Sequence, residues 1–258
     1  MLRFGLLRVA GPPSRSPELY RALWKGHSLE RELTYNVLEV APREDWGPWL
    51  RQAHLDGYSG FNATIPHKID VWRSIPLRTP TAEAVGATNC IARTADGWVC
   101  HNTDADGFWY AWESAWNGYR PRHQRAWLIG NGGAARAIAY ALRARGFDVV
   151  VFARSPRPDF FDLAQLPLEA SADAARPDLV VNATSLGHGS QHALAPAIVW
   201  PEMRGAWAVD AVYGPEATPF QLQAALAGAS VMDGMPMLRM QAKKAWEYWV
   251  EVLGMSDF

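Results

Sequence analysis

The sequence predicts an α/β protein of two lobes, the second of them a doubly wound parallel sheet. Three observations carry this prediction. The first hundred residues alternate β-rich and helical runs, residues 126–153 run strand, glycine turn, helix, strand, and short apolar runs then recur until a long amphipathic stretch near the C-terminus. A chain of 258 residues has room for two modest domains, and the change of rhythm near residue 105 favours two.

In order, FGLLRVA reads as a strand, a helix begins near Ser16, YNVLEVA is a second strand, residues 46–54 form a helix, and YSGFNATIP is a third strand. TNCIAR and WVCHNTD flank a turn containing Asp96-Gly97 and read as a hairpin. Residues 104–117 form an amphipathic helix. Trp109, Trp112 and Trp116 recur along it at helical spacing, as Trp246 and Trp249 do later, so the 13 tryptophans read first as core stripes. Residues 126–129 are a continuous apolar run, followed by Gly130, an alanine-rich helix to residue 145, and the buried strand DVVVFA. The runs at 179–181, 206–210 and 230–232 continue a parallel sheet, and 234–253 is helical. These elements place an N-terminal α/β substrate lobe at 1–104 plus 236–258. A Rossmann-like lobe occupies 105–235, the C-terminal helix returns to the first lobe, and a cleft is expected between the two.

Charge narrows the partner. Lys plus Arg total 25 against 26 Asp plus Glu, a net charge of −1, and the cations are scattered, which argues against nucleic acid and anionic membranes. Cys90 and Cys100 make no disulfide scaffold, and no Cys or His cluster has metal-ligand spacing. The apolar start is broken by Arg3 and Arg8 and is too short for a signal or a span. A cytoplasmic protein acting on a small molecule, as monomer or homodimer, is the expectation.

Gly130, Asn131, Gly132, Gly133 and Ala134 stand where a strand hands over to a helix. There glycines admit a pyrophosphate to the backbone, and the helix start offers free N–H groups. At the end of the next strand, where a carboxylate would receive the ribose hydroxyls of NAD, the chain has Ala153-Arg154-Ser155, with Arg157 following. An arginine there suits a 2′-phosphate, so the cofactor expected is NADP (NADPH).

Polar clusters punctuate the first lobe. Ser14-Arg15-Ser16-Pro17 sets two hydroxyls ahead of a helix start, which suits a carboxylate but reads equally as an ordinary serine cap. Asn62-Ala63-Thr64-Ile65-Pro66-His67-Lys68, Gly86-Ala87-Thr88-Asn89 and Asn102-Thr103-Asp104-Ala105-Asp106-Gly107 follow, and Asp104 alone reads as a helix cap. With Asn182-Ala183-Thr184-Ser185-Leu186-Gly187, Asp210-Ala211-Val212-Tyr213, Thr218-Pro219, and Asp233-Gly234 before Met237-Leu238 and Gln241, the ordered set resembles the shikimate dehydrogenase family over nearly the full length.

That resemblance implies NADPH-dependent, reversible reduction of 3-dehydroshikimate to shikimate in aromatic amino-acid biosynthesis. Carried over by motif, Lys68 resembles the catalytic lysine and Asp104 its partner. Ser14 and Ser16 would take the substrate carboxylate, while Thr64, Asn89, Tyr213 and Gln241 would contact hydroxyls or carboxylate, with Asn62 in support. Gly234 would lie at the cofactor. A carboxylate beside Lys68 favours the ammonium form, suited to giving a proton during reduction. The chain departs from the family pattern at Pro13, Tyr20-Arg21, Cys90, Ala153 and Pro236. These departures leave open a paralogue acting on quinate, aminoshikimate or another cyclic hydroxy acid, and a non-catalytic NADP-binding sensor.

Overall fold

A computed structural model describes residues 1–154, 161–162 and 176–255. The candidate Ser155, and Arg157, lie outside the described residues. The chain divides into two compact units, Met1–Gly107 with Arg239–Phe258, and Phe108–Leu238. Both cuts fall inside helices, where the sequence pattern suggested 104 and 235. Among the described residues no helix is long and apolar enough to cross a membrane.

The first unit holds strands β1 (Leu2–Arg8), β2 (Leu33–Glu39), β3 (Tyr58–Ala63), β4 (Leu77–Arg78), β5 (Cys90–Thr94) and β6 (Gly97–His101). Its helices are α1 (Ser16–Trp24), α2 (Gly47–Leu55), α3 (Lys68–Ser74) and α4 (Pro80–Val85), with the start of α5 (Asp104–Ser114) and most of α8 (Met235–Val252). The sheet order is β2-β1-β3-β5-β6-β4. Parallel β1, β2 and β3 are extended antiparallel by the β5–β6 hairpin. Period-two alternation sorts β5 between two cores: Cys90 and Ala92 pack with Phe4, Tyr20, Trp24, Trp246 and Trp249, and Ile91 packs with Leu7, Trp46, Leu50 and Phe61. Gly60 makes room for this arrangement, because a Cβ there would lie 2.7 Å from the Trp249 indole nitrogen, which donates to the Ile91 carbonyl at 3.0 Å.

The second unit holds β7 (Arg125–Ile129), β8 (Asp148–Ala153), β9 (Phe161–Asp162), β10 (Leu179–Asn182), β11 (Trp207–Asp210) and β12 (Ser230–Met232), with α6 (Gly133–Arg143) and α7 (Pro219–Leu226). All pairings are parallel, in the order β12-β11-β10-β7-β8-β9. This is the doubly wound arrangement, its order reversing between β7 and β10, and ligands of such sheets bind outside the strand carboxyl ends at that point. Register brings Ile129, Asn182 and Asp210 level there, so Gly130, Ala183 and Ala211 emerge along one edge. The alanines of α6 allow close packing on the sheet. The Trp109 and Trp112 stripe is buried with Phe147, a core as its spacing suggested.

The helix expected over 104–117 ends earlier, at Ser114, and Asn117 and Gly118 turn the chain at positive φ. Helices α3 and α4 and the two-residue strands β4 and β9 have no counterpart in the sequence pattern. Each is too short to show a period.

Candidate active site

Lys68 is the first residue of α3, in a unit where the β3–α3 turn is held by His67 N–H donating to Thr64 O at 2.8 Å. Its own carbonyl accepts from Thr88 N at 2.9 Å, which ties the segment before Asn89 to the base of α3. The Lys68 ammonium donates to Asp104 Oδ2 at 2.5 Å, with the side chains only 12% and 5% exposed. A pair this short and this buried is a charge-assisted hydrogen bond largely protected from solvent screening.

Asp104 is not spent on capping. Asn102 Oδ1 accepts from Asp104 N at 3.1 Å and from Ala105 N at 3.4 Å, so the neighbouring asparagine caps α5 and leaves the Asp104 carboxylate for side chains. Its second oxygen accepts from Asn89 Nδ2 at 2.9 Å. That amide also lies 3.0 Å from Gln241 Oε1 and 2.9 Å from Thr103 Oγ1, while Asn89 Oδ1 accepts from Thr103 N at 2.7 Å. Gly107 is what lets α8 close on this network, since a Cβ on it would lie 2.6 Å from that of Gln241.

The two serines are likewise not ordinary caps. Arg15 occupies the cap position of α1 without a side-chain bond, and Ser14 Oγ instead accepts from Ser16 N at 3.2 Å and lies 3.3 Å from Ser16 Oγ. Asn62 Nδ2 donates to Asn89 O at 3.0 Å and its Oδ1 accepts from Tyr35 OH at 2.7 Å. Tyr35 carried no site signal in the sequence, because a tyrosine in a strand is an ordinary β former. Thr64 stands at the end of β3, partly exposed, its N–H donating to Leu7 O. Lys68, Asp104, Asn89 and Gln241 are thus in one hydrogen-bonded group, with Asn62 joined to it through the Asn89 backbone.

Tyr213 belongs to the second unit, on the loop from β11 to α7. There Asp210 anchors the loops: it accepts from Thr218 Oγ1 at 2.5 Å, Asn182 Nδ2 at 2.9 Å, Val212 N at 3.0 Å and Gln221 Nε2 at 3.3 Å. Burial pushes its carboxyl up, and these four donors counter the effect. Gly130, at φ +124°, would carry a Cβ 2.8 Å from Ala183 O, so only glycine fits. Gly132 has no such protein reason, since a Cβ there would meet nothing within 4 Å. Open space at Gly132, with Gly133 and Ala134 presenting first-turn N–H groups that α6 itself does not use, fits the pyrophosphate of a dinucleotide. Arg154 is exposed just past β8. Gly234 lies so close to Ala211 O that any side chain would collide with it, and Pro236 sits in the first turn of α8, where no N–H is needed.

His101, three residues before Asp104, accepts or donates at Nδ1 with Thr79 Oγ1, 2.9 Å away, and stacks on Tyr248 at 4.1 Å. Burial pushes its pKa down to about 4 from an ordinary 6.5, with Asp106 opposing. The unfolded chain therefore takes up this proton first, and stability should fall as pH drops from 6.5 towards 4, by at most about 3 kcal/mol. Thermal melts of the parent and His101→Gln across that range check it, the substitution flattening the slope although its lost stacking lowers the whole curve. An equal slope in both would remove His101 as the cause.

A six-stranded doubly wound parallel sheet in one unit, and in the other a mixed sheet with a buried Lys–Asp pair on the helices α3 and α5, define a two-unit dinucleotide-binding α/β protein. The family model for the shikimate dehydrogenase substrate binding domain matches residues 12–91. A shikimate dehydrogenase (NADP(+)) of Anaeromyxobacter dehalogenans is 37% identical, spanning 96% of this chain and 91% of its own. The enzyme of that name from Thermus thermophilus is 34% identical, spanning 98% and 94%. The crystal structure of Thermus thermophilus shikimate 5-dehydrogenase in complex with NADP(H) and shikimate superposes with a TM-score of 0.80 at 29% identity, covering 97% of this chain and 94% of that one. The chain belongs to the shikimate dehydrogenase family.

Proposed function

We propose that this protein is an NADP-dependent dehydrogenase of the cytoplasm that reversibly reduces 3-dehydroshikimate to shikimate. The observation that carries the reading is the buried Lys68–Asp104 pair, wired through Asn89 to Gln241 within one unit. NADPH, when bound, supplies the hydride. Gly130, Asn131, Gly132, Gly133 and Ala134 would hold its pyrophosphate, Gly234 would lie along it, and Arg154 would pair with the 2′-phosphate.

Lys68 Nζ gives a proton to the ketone oxygen as the carbonyl is reduced, and takes one from the hydroxyl in the reverse direction. Asp104 keeps the ammonium aimed and accepts a substrate hydroxyl. Ser14 and Ser16 receive the carboxylate, and Thr64, Asn89, Gln241 and Tyr213 complete a set of neutral partners for a polyol ring. A sensor has no need of a buried proton donor, which counts against the non-catalytic reading.

Reduced-nicotinamide absorbance with shikimate and NADP tests this, repeated with NAD and with quinate. Turnover with shikimate and NADP is expected, and turnover with quinate alone would overturn the substrate assignment. Arg154→Ala should raise KM for NADP by about 10–100-fold, the scale of a charged hydrogen-bonded contact, leaving KM for NAD unmoved. Equal effects on both cofactors would remove Arg154 from the 2′-phosphate.

A further inference from the structure

Two tyrosines stack beside this site, Tyr20 on α1 and Tyr35 on β2, with ring centroids 4.2 Å apart and planes at 18°. They share a wall but not a wiring. The Tyr35 hydroxyl donates to Asn62 Oδ1 at 2.7 Å, which fixes the Asn62 amide so that Nδ2 faces Asn89 O at 3.0 Å. Burial pushes the Tyr35 phenol up, Cys90 adds to the effect, and the nearby Ser16 hydroxyl counters part of it. Tyr35 therefore joins the Asn62–Asn89–Asp104 group as a donor. The Tyr20 hydroxyl is fully buried and has no partner within hydrogen-bonding geometry, although Asn62 lies close enough to counter part of the upward push of burial on it.

We infer that Tyr35 is a positioning residue of the acid-binding site, holding the Asn62 amide in register for the cyclic hydroxy acid, while its stacked neighbour Tyr20 serves packing alone. This rests on the function proposed above. Without the Tyr35 hydroxyl, Asn62 Oδ1 becomes a buried acceptor with no donor, at a residue only 5% exposed. Its amide is then free to turn and release Asn89 O, and the loss passes to the side chain that holds Asp104 and Gln241.

Tyr35→Phe removes that oxygen and keeps the stack. It should lower kcat/KM for the acid about tenfold, chiefly through KM, as expected for one mis-satisfied buried hydrogen bond. KM for NADP should stay at the parent value, and the melting temperature should fall by the few degrees that one orphaned buried acceptor costs. Tyr20→Phe should match the parent in all of these. Steady-state kinetics in both substrates, with melts of the parent and the two variants, read this out. A Tyr35→Phe protein with the parent's KM for the acid overturns the inference, and so do equal losses in both variants, which would mark the pair as structural. Those outcomes need an active parent; a parent that turns over no cyclic acid fails the underlying reading and takes the inference with it.

Discussion

Lys68→Ala is expected to lower kcat by about 10²–10⁴, the range for loss of a positioned general acid, while KM for the acid and for NADP move far less. The geometry makes the expectation strict. Lys68 Nζ is the only cation recorded within ion-pair distance of Asp104 among the described residues, so no neighbouring ammonium takes over the proton transfer. The alanine variant also leaves a carboxylate 5% exposed without its counter-charge, and some loss of stability follows. Lys68→Met separates lost packing from lost charge, because it keeps most of the packed stem and removes the ammonium. Both variants should be similarly inactive, with methionine closer to the parent in its melt. Near-parental kcat in either would end the assignment of Lys68 as proton donor.

What the sequence made legible follows the strength of its local signals. The β7–α6–β8 segment was readable because a buried strand, a glycine turn and an alanine-rich helix have different periods, and the handover at Gly130 marks the join. The tryptophan stripes were readable for the same reason. Helix α3 was not: seven residues, KIDVWRS, hold barely two turns, and His67 before them makes no side-chain cap. Lys68 was therefore known by its motif and not by the helix that positions it. Asn102 and Asp104 are both good caps, and nothing local says which of the two does the capping. Tyr35 was invisible because its role lies in a bond to Asn62, 27 residues away, and long-range wiring leaves no trace in periodicity.

The Asn102–Asp104 ambiguity bears on the second large effect expected, a fall in kcat of about 10² or more in Asp104→Asn, on the scale of losing a residue that holds the general acid in place. In the parent, one carboxylate oxygen accepts from Lys68 and the other from Asn89 Nδ2. An asparagine has one acceptor oxygen and one donor NH2 in the same space. Whichever way it turns, a donor faces a donor: either Lys68 loses its partner, or the Asn89 amide is driven off and with it the contact to Gln241. The variant should also lose about 1–3 kcal/mol of stability, since a largely buried ammonium is left without its anion. Asn102→Ala is the matching control, because removal of the α5 cap and of the bond from Asn102 Nδ2 to Ala87 O should cost about 1–3 kcal/mol while the Lys68–Asp104 pair survives. Kinetics and melts of the two variants then divide the motif: Asn102→Ala should lose stability with kcat largely kept, and Asp104→Asn should lose both. Full activity in Asp104→Asn could not be excused by calling Asp104 a cap, because Asn102 already holds that position, and the carboxylate would have to be removed from the chemistry altogether.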